Sequence, residues 1–534
     1  MTVKHIDALV IGAGIAGLYQ LYRLRQAGLS VLCVDAAPDI GGTWHWNCYP
    51  GARLDSPSYT YQYWFSDELL NEWEWSERFP GQPEIKRYLQ YVANKFELYP
   101  DIQLNTRIKR AAWNPDSNSW HIASEDGEEW QTQFFISCMG MLSAPNAPKF
   151  PGAEQFKGRV LHTARWPQEG IDLSGKRVGV VGVGATGIQV IQTLAPEVEE
   201  LYVFQRTPQY AVKMNNYNMD KDKLDYWRSQ YPSMKNTLHT TFGGFEWALP
   251  EEGWAAAMTP EQRREILEEA WADGSLRMWV GVYPEMLADA DINAEASEFV
   301  REKIRARIDD PAIADQVIPK EYGFGTYRVP LETGYYDSFN RDNVHLVNVK
   351  TTPIEGFTEK GLQVGDREYP LDVLIFATGF DAGTGALSRV DVRGLGNESL
   401  SELWQRDIRS TLGLQVHGFP NLFTVAGPLA PSTAFCNMTT CLQQQVDWVT
   451  DAILYLREQG LSTMEATAER EEAWVQHHDE VANMTLIMQT NSWYTGANIE
   501  GKPRRLLSYI GGVGTYRELC EEEKQSHYAG FTLA

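Results

Sequence analysis

Two sets of glycines in this chain are spaced to hold phosphate. Gly12, Gly14 and Gly17 form one G-x-G-x-x-G loop, and Gly182, Gly184 and Gly187 form a second. Glycines there let the backbone approach a pyrophosphate. The helix that follows offers free N–H groups and positive potential at its N-terminus. The two units differ at their far ends. Asp35 and Gln205 each lie 23 residues after the first glycine of their loop. Asp35 would accept hydrogen bonds from ribose hydroxyls and repel a 2′-phosphate, which suits FAD or NAD. Gln205 is followed by Arg206 and Thr207, which can take a 2′-phosphate through charge-assisted hydrogen bonds. The chemistry indicated is redox transfer between two different dinucleotides, FAD at the first loop and NADPH at the second.

The elements that must position these loops are legible around them. Residues 6–12 are an apolar, β-branched run that reads as a buried parallel strand. Residues 18–27 form an amphipathic helix ended by Gly28, and residues 29–35 a second strand closing on Asp35. Strand, glycine turn, helix, strand and acid in that order make a weak motif specific. The second unit runs from a strand at 176–182 to one at 201–204. Residues 215–325 change character to Trp, Met, Glu and Arg with helical periodicity, as at 260–271. They read as a helical insertion that packs and shapes a cleft. Strands return at 344–347 and at 373–380, the latter with a small-residue end. A similar segment at 134–140 precedes the second unit, and both read as crossings between nucleotide domains. The tail mixes loops, a helix at 441–459 and a Trp-rich loop near Trp493. The expected fold is α/β: two Rossmann-like dinucleotide-binding domains with a helical insertion. Residues 1–140 plus 381–534 bind FAD, 150–214 plus 326–380 bind NADP, and 215–325 are the insertion.

A length of 534 residues allows two or three domains. The net charge of -24 argues against nucleic acid or an anionic membrane as the main partner. No run of about 18 apolar residues suggests a membrane span, and residues 1–5 lead directly into a strand without a signal peptide. A cytoplasmic location is expected. The six cysteines include no C-x-x-C and no zinc spacing, so free thiols and no metal site are expected. Nothing decides between a monomer and a homodimer.

Two further patterns name a family. F-x-G-x-x-x-H-x-x-x-W-P stands complete as Phe156, Gly158, His162, Trp166 and Pro167. A glycine pair, Trp, aromatic-Pro-Gly and Asp stand as Gly41, Gly42, Trp44, Tyr49, Pro50, Gly51 and Asp55. With both glycine loops in order, the chain resembles the type I Baeyer–Villiger monooxygenases, which include cyclohexanone and phenylacetone monooxygenases. The resemblance covers most of the chain, extending to Gly325–Pro330, Phe376–Asp381 and Trp493–Asn498 by position. It implies that Arg328 is the catalytic arginine. Trp44 and Tyr61 would neighbour the flavin, and Trp493 would contact the nicotinamide nucleotide. Thr43, Asp55, Thr186 and Gln189 would be further cofactor contacts. One position departs: Tyr327 stands where the family commonly has a Lys that helps bind the 2′-phosphate.

The implied reaction reduces FAD with NADPH, activates O2 as a flavin C4a-peroxide, and attacks a ketone to give an ester or lactone through a Criegee intermediate. Sulfoxidation is an expected side activity. A fixed cation suits the anions that develop, and Arg cannot lose its proton. Burial of that Arg calls for a carboxylate, and an Asp55–Arg328 pair is expected across the flavin. His162, in the linker, is read as a structural or hinge residue, with Trp166 and Pro167 stiffening the connection. Met141, Leu142 and the 433–435 segment with Phe435 fall where the family lines its substrate pocket. Their apolar character favours a small apolar ketone, cyclic ketones first, together with O2. The rival readings are an N- or S-oxygenating flavin monooxygenase, which usually lacks the Trp-Pro ending, and a disulfide reductase, which needs the absent C-x-x-C. A nucleotide-binding sensor without catalysis is the third.

Overall fold

The computed structural model describes residues 3–247, 254–433 and 435–534. It repeats one construction twice. Strand β1 (Lys4–Ile11) lies between β2 (Val31–Val34) and β3 (Glu129–Ser137), parallel to both. Its apolar half, Ala8 to Ile11 by position, is buried, as a strand covered on both faces must be. Helix α1 (Ile15–Gln26) follows the first glycine loop. The second unit places β4 (Arg159–His162), β5 (Arg177–Val181), β6 (Glu200–Gln205), β7 (Val344–Asn348) and β8 (Val373–Phe376) in one parallel sheet, ordered β7-β6-β5-β8-β4. Helix α2 (Ala185–Leu194) follows its glycine loop.

Each loop is closed by the end of a neighbouring strand. Gly12 has φ +107°, and a Cβ there would sit 2.4 Å from the Cys138 carbonyl oxygen just beyond β3. Gly182 has φ +104°, and its Cβ would sit 2.6 Å from the Ala377 carbonyl oxygen just beyond β8. Only glycine satisfies both the left-handed backbone and the close approach. Beyond those two strand ends the chain crosses between the sheets. The crossings run side by side: Asn146 N–H donates to Gly379 O at 2.9 Å, Asp381 N–H to Ala144 O at 2.8 Å, and Pro145 bridges Phe380 antiparallel.

The first sheet is built from both ends of the chain. Asp391–Arg393 and Leu422–Thr424 join it, pairing with Ile108–Asn114 and with β3. The long helix Met438–Gln459 packs against α1. The segment between β6 and β7 contributes α3 (Pro260–Asp273), α4 (Arg277–Val280) and α5 (Ala290–Arg305). Local signals set their ends. Thr259 and Gln262 form a capping box at α3, with Pro260 in its first turn, and Gly274 closes it in the left-handed conformation. Leu267, Trp279 and Phe299 of these helices share one core with Val180 and Ile188 of the second nucleotide unit.

The cysteines differ from expectation. Cys436 and Cys441 are placed as a disulfide, while Cys33, Cys48, Cys138 and Cys520 are free. The five-residue step into the Met438–Gln459 helix folds the two side chains onto each other, a proximity that spacing without C-x-x-C does not signal. No described helix is long and apolar enough to cross a membrane.

Gly17 and Gly187 lock each helix onto its loop. A Cβ at Gly17 would lie 1.7 Å from Gly12 O, and one at Gly187 2.1 Å from Gly182 O. Overpacking of that kind costs about 1–3 kcal/mol. Gly17→Ala is therefore expected to lower the Tm and to strip flavin from the purified protein, read from visible absorbance. Full flavin content at an unchanged Tm would show that α1 tolerates displacement.

Candidate functional site

One cavity of about 1100 Å³ runs between the two nucleotide units. Gly12, Gly14, Asp35, Thr43, Trp44 and Tyr61 line its first half, and Gly182, Gly184, Thr186, Gln189, Arg206 and Thr207 its second. Gly17 and Gly187 do not line it; they serve the helix packing described above. The fingerprint residues Phe156, Gly158, His162, Trp166 and Pro167 also lie outside it.

The first half has the donor set of a dinucleotide site. Asp35, just past β2, is a buried carboxylate that accepts from Ala13 N–H at 2.6 Å and Ala37 N–H at 2.8 Å. Burial raises its pKa, opposed in part by these two backbone donors. Trp44 Nε1–H donates to Tyr61 Oη at 3.1 Å, fixing one aromatic edge against another. In the second half, a Cβ at Gly184 would meet nothing within 4 Å, so the α2 N-terminus opens onto space rather than protein. Arg206 sits just past β6, and no carboxylate of the described residues pairs with it. FAD fits the first half, through Asp35 and the Gly12–Gly14 turn, and a 2′-phosphorylated nucleotide fits the second.

The aromatic-Pro-Gly turn ties the halves together. Tyr49 Oη–H donates to Gln189 Oε1 at 2.9 Å, and Gln189 Nε2–H donates to Arg53 O at 3.2 Å. Gly51 has φ +82°, and a Cβ there would come 2.6 Å from Gln189 O. The glycine thus allows the turn to seat directly on α2.

Between the halves, Arg328 Nη2–H donates to Asp55 Oδ2 at 3.3 Å. The Asp55 side chain is 9% exposed, and its Oδ1 has no partner among the described residues. Burial raises the Asp55 pKa, opposed chiefly by the Arg328 charge. Gln209 Nε2–H donates to the Arg328 carbonyl, which holds the backbone from β6's side. Apolar side chains close this end of the cavity: Phe245, Leu276, Trp279, Phe435 and Leu442, with Met141 and Leu142 nearby on the crossing segment. Ala434 lies outside the described residues.

Trp493 also lines the cavity, on a loop tied down at several points. Tyr327 Oη–H donates to Asn491 O at 3.0 Å, Asn498 Nδ2–H to Phe380 O at 2.8 Å, and Lys502 Nζ pairs with Asp381 at 2.6 Å. His162 ends β4; its Nδ1 accepts from Ala164 N–H at 3.1 Å, and its Nε2 has no partner among the described residues. Burial lowers its pKa.

Sequence reasoning missed several lining residues. Trp279 and Phe245 come from the segment that carries no motif. Arg107, Arg165 and Arg389 also line the cavity. Burial lowers the Arg165 pKa, and Arg107 and Arg389 add to the effect. Their convergence gives a chain of net charge -24 a locally basic wall for phosphorylated ligands. Isolated arginines scattered over the sequence give no sign of meeting. Among the described residues no cluster of potential metal ligands occurs.

A flavin-binding monooxygenase-like family model matches residues 4–220. The chain is 53% identical over 535 residues to acetone monooxygenase (methyl acetate-forming) of Gordonia sp. (strain TY-5), covering 100% of each. It is 38% identical to a Baeyer–Villiger monooxygenase of Pseudooceanicola batsensis, covering 98% of this chain and 95% of that protein. A solved structure of OTEMO in complex with FAD and NADP superposes with a TM-score of 0.95 at 39% identity, covering 100% of both chains.

A charge-assisted hydrogen bond contributes about 1.5–3 kcal/mol, or roughly tenfold in affinity and above. Arg206→Ala is accordingly expected to weaken NADP+ binding about tenfold or more, measured by titration calorimetry, while NAD+ binding changes less than about twofold. Equal losses for both would remove Arg206 from the 2′-phosphate site.

Proposed function

The chain belongs to the Baeyer–Villiger monooxygenases of the flavin-binding monooxygenase-like family, and from that premise we propose how its residues divide the work. The protein is an FAD- and NADPH-dependent enzyme that inserts one oxygen atom of O2 beside a ketone carbonyl to give an ester or lactone. Residues 1–140 plus 381–534 form the FAD-binding domain, 150–214 plus 326–380 the NADP-binding domain, and 215–325 a helical insertion. Gly12, Gly14, Asp35, Thr43, Trp44 and Tyr61 hold FAD. Gly182, Gly184, Thr186, Gln189, Arg206, Thr207 and Trp493 hold NADPH. When bound, FAD reduced by NADPH supplies the activation of O2.

The Asp55–Arg328 pair is the observation that carries the catalytic assignment. As the ketone carbon becomes tetrahedral, its oxygen gains negative charge. Arg328 meets that charge with a guanidinium cation. Because the cation is already in place, stabilising it needs no reorganisation. Asp55 orients the guanidinium and offsets the cost of burying it. Only one guanidinium nitrogen reaches Asp55, which leaves donors for the reacting oxygen. The apolar walls exclude water and raise the strength of every charge interaction inside. Phe435 lies 6.0 Å from Trp279 and 5.0 Å from Tyr494, ring centre to ring centre. These crowded rings favour a small apolar ketone, short-chain or small cyclic. The 53% identity to a protein named for acetone supports the same size class.

His162 works at a distance: it caps the turn that joins the linker to the second glycine unit, and Trp166 is packed into that unit's core. Both steady the domain connection during coenzyme binding.

The test supplies NADPH, 18O2 and a panel of C3–C6 ketones. The wild-type protein is expected to form ester or lactone carrying one labelled oxygen. Arg328→Ala is expected to keep oxidising NADPH while ester formation falls about a thousandfold, in line with the loss of one preorganised oxyanion donor. Ester formation by Arg328→Ala at a near-normal rate would contradict the assignment.

A further inference from the structure

The helical segment between β6 and β7 reaches the arginine through one side chain. Trp279, on α4, is 2% exposed and lines the cavity. Its ring centre lies 5.2 Å from the Arg328 guanidinium carbon. Its indole Nε1–H donates to Gly325 O at 3.1 Å. Gly325 has φ +83°, and a Cβ there would lie 2.9 Å from Trp279 Cδ1. The indole therefore grips the loop at Gly325 and presents its face to the side chain three residues later.

The loop is tied to the same segment from further back. Asn293, on α5, donates from Nδ2 to Phe324 O at 2.9 Å, and Phe324 N–H donates to Ser297 Oγ at 2.8 Å. By contrast, Asp55 holds the guanidinium by a single contact at 3.3 Å. One carboxylate contact leaves the planar group free to swing about it. A second carboxylate would fix the group but leave the cluster with a net negative charge. An aromatic face fixes it and leaves the charge available, because a ring quadrupole attracts a cation without carrying net charge.

We propose that Trp279 is a positioning residue for Arg328, holding the guanidinium by its ring face and the Gly325 backbone by its indole N–H. The segment 215–325 thereby sets the place of the catalytic cation as well as one wall of the cavity. This inference rests on the Baeyer–Villiger reading above.

Two variants separate positioning from packing. Trp279→Phe keeps a ring face and drops the indole donor; Trp279→Leu drops both and leaves a smaller apolar side chain. Flavin content and Tm are checked for each. Burial makes a cation–π contact strong enough to matter by about tenfold or more. W279L is expected to lower the kcat for ester about tenfold or more, with the ketone KM within about threefold of wild type. Its NADPH consumption is expected to continue, with hydrogen peroxide as product. W279F is expected to retain at least about a third of the wild-type kcat. A raised ketone KM with unchanged kcat in W279L would make Trp279 only a wall and overturn the proposal. Equal kcat losses in W279F and W279L would overturn the ring-face contribution. Should W279L fail to fold or to hold flavin, a crystal structure of the wild-type protein with FAD and NADP+ decides. A guanidinium within about 6 Å of the indole centre supports the proposal, and one turned away from it overturns it. Failure of the wild type to make any ester would instead count against the reaction class, and the crystal distance would still judge Trp279.

Discussion

One cation held at the apolar end of the cavity governs the arrangement of the whole chain. Moving a guanidinium and a carboxylate out of water costs several kcal/mol per ion unless their attraction and hydrogen bonds offset it. Here Asp55 gives that offset through one contact, while burial pushes its pKa up, against the charged form. The pairing is deliberately incomplete in its geometry: one oxygen of Asp55 has no partner among the described residues. A bidentate pair would hold the guanidinium more firmly but would take one more of its N–H donors away from an oxyanion. Stability is given up at this point and recovered in the cores around it.

The fold brings the parts of this site together from distant positions. Asp55 follows the turn that seats the first nucleotide unit on α2. Arg328 lies 273 residues later, where the chain leaves the helical segment and enters the second unit again. Two antiparallel crossings between the sheets, near Asn146 and Gly379, pass beside the same cavity. The two nucleotide units are therefore separate enough to bind different dinucleotides, yet joined tightly enough to share one reaction centre. The Tyr49–Gln189 contact and the anchored Trp493 loop close the remaining sides.

How much of this was readable in the sequence depended on whether a backbone constraint or a spatial meeting was at issue. Gly12 and Gly182 were legible because a left-handed turn against a strand end admits almost nothing else, and the following residues, Asp35 and Arg206, stand at a fixed distance. The parallel strands were legible as short apolar runs. The grouping of Gly17 and Gly187 with cofactor contacts was coarser than the structure, which uses them to seat helices. Asp55 and Arg328 carry no local signature at all; only the family resemblance singled them out. Trp279 stayed hidden because its neighbours Met278 and Val280 look like any short buried helix. The Cys436–Cys441 pairing was hidden too, since a five-residue spacing has no fixed geometry until the helix after it is placed.

A double-mutant cycle on Asp55 and Arg328 tests the central claim most directly, with ester formed per unit time as the readout for wild type, Asp55→Asn, Arg328→Lys and the double variant. If the pair acts as one device, the two single losses do not add. A coupling of at least about 1 kcal/mol is then expected, within the range found for residues in contact. Strict additivity, with the double variant slower by the product of the single losses, would mean that the carboxylate does nothing for the cation and would contradict the account.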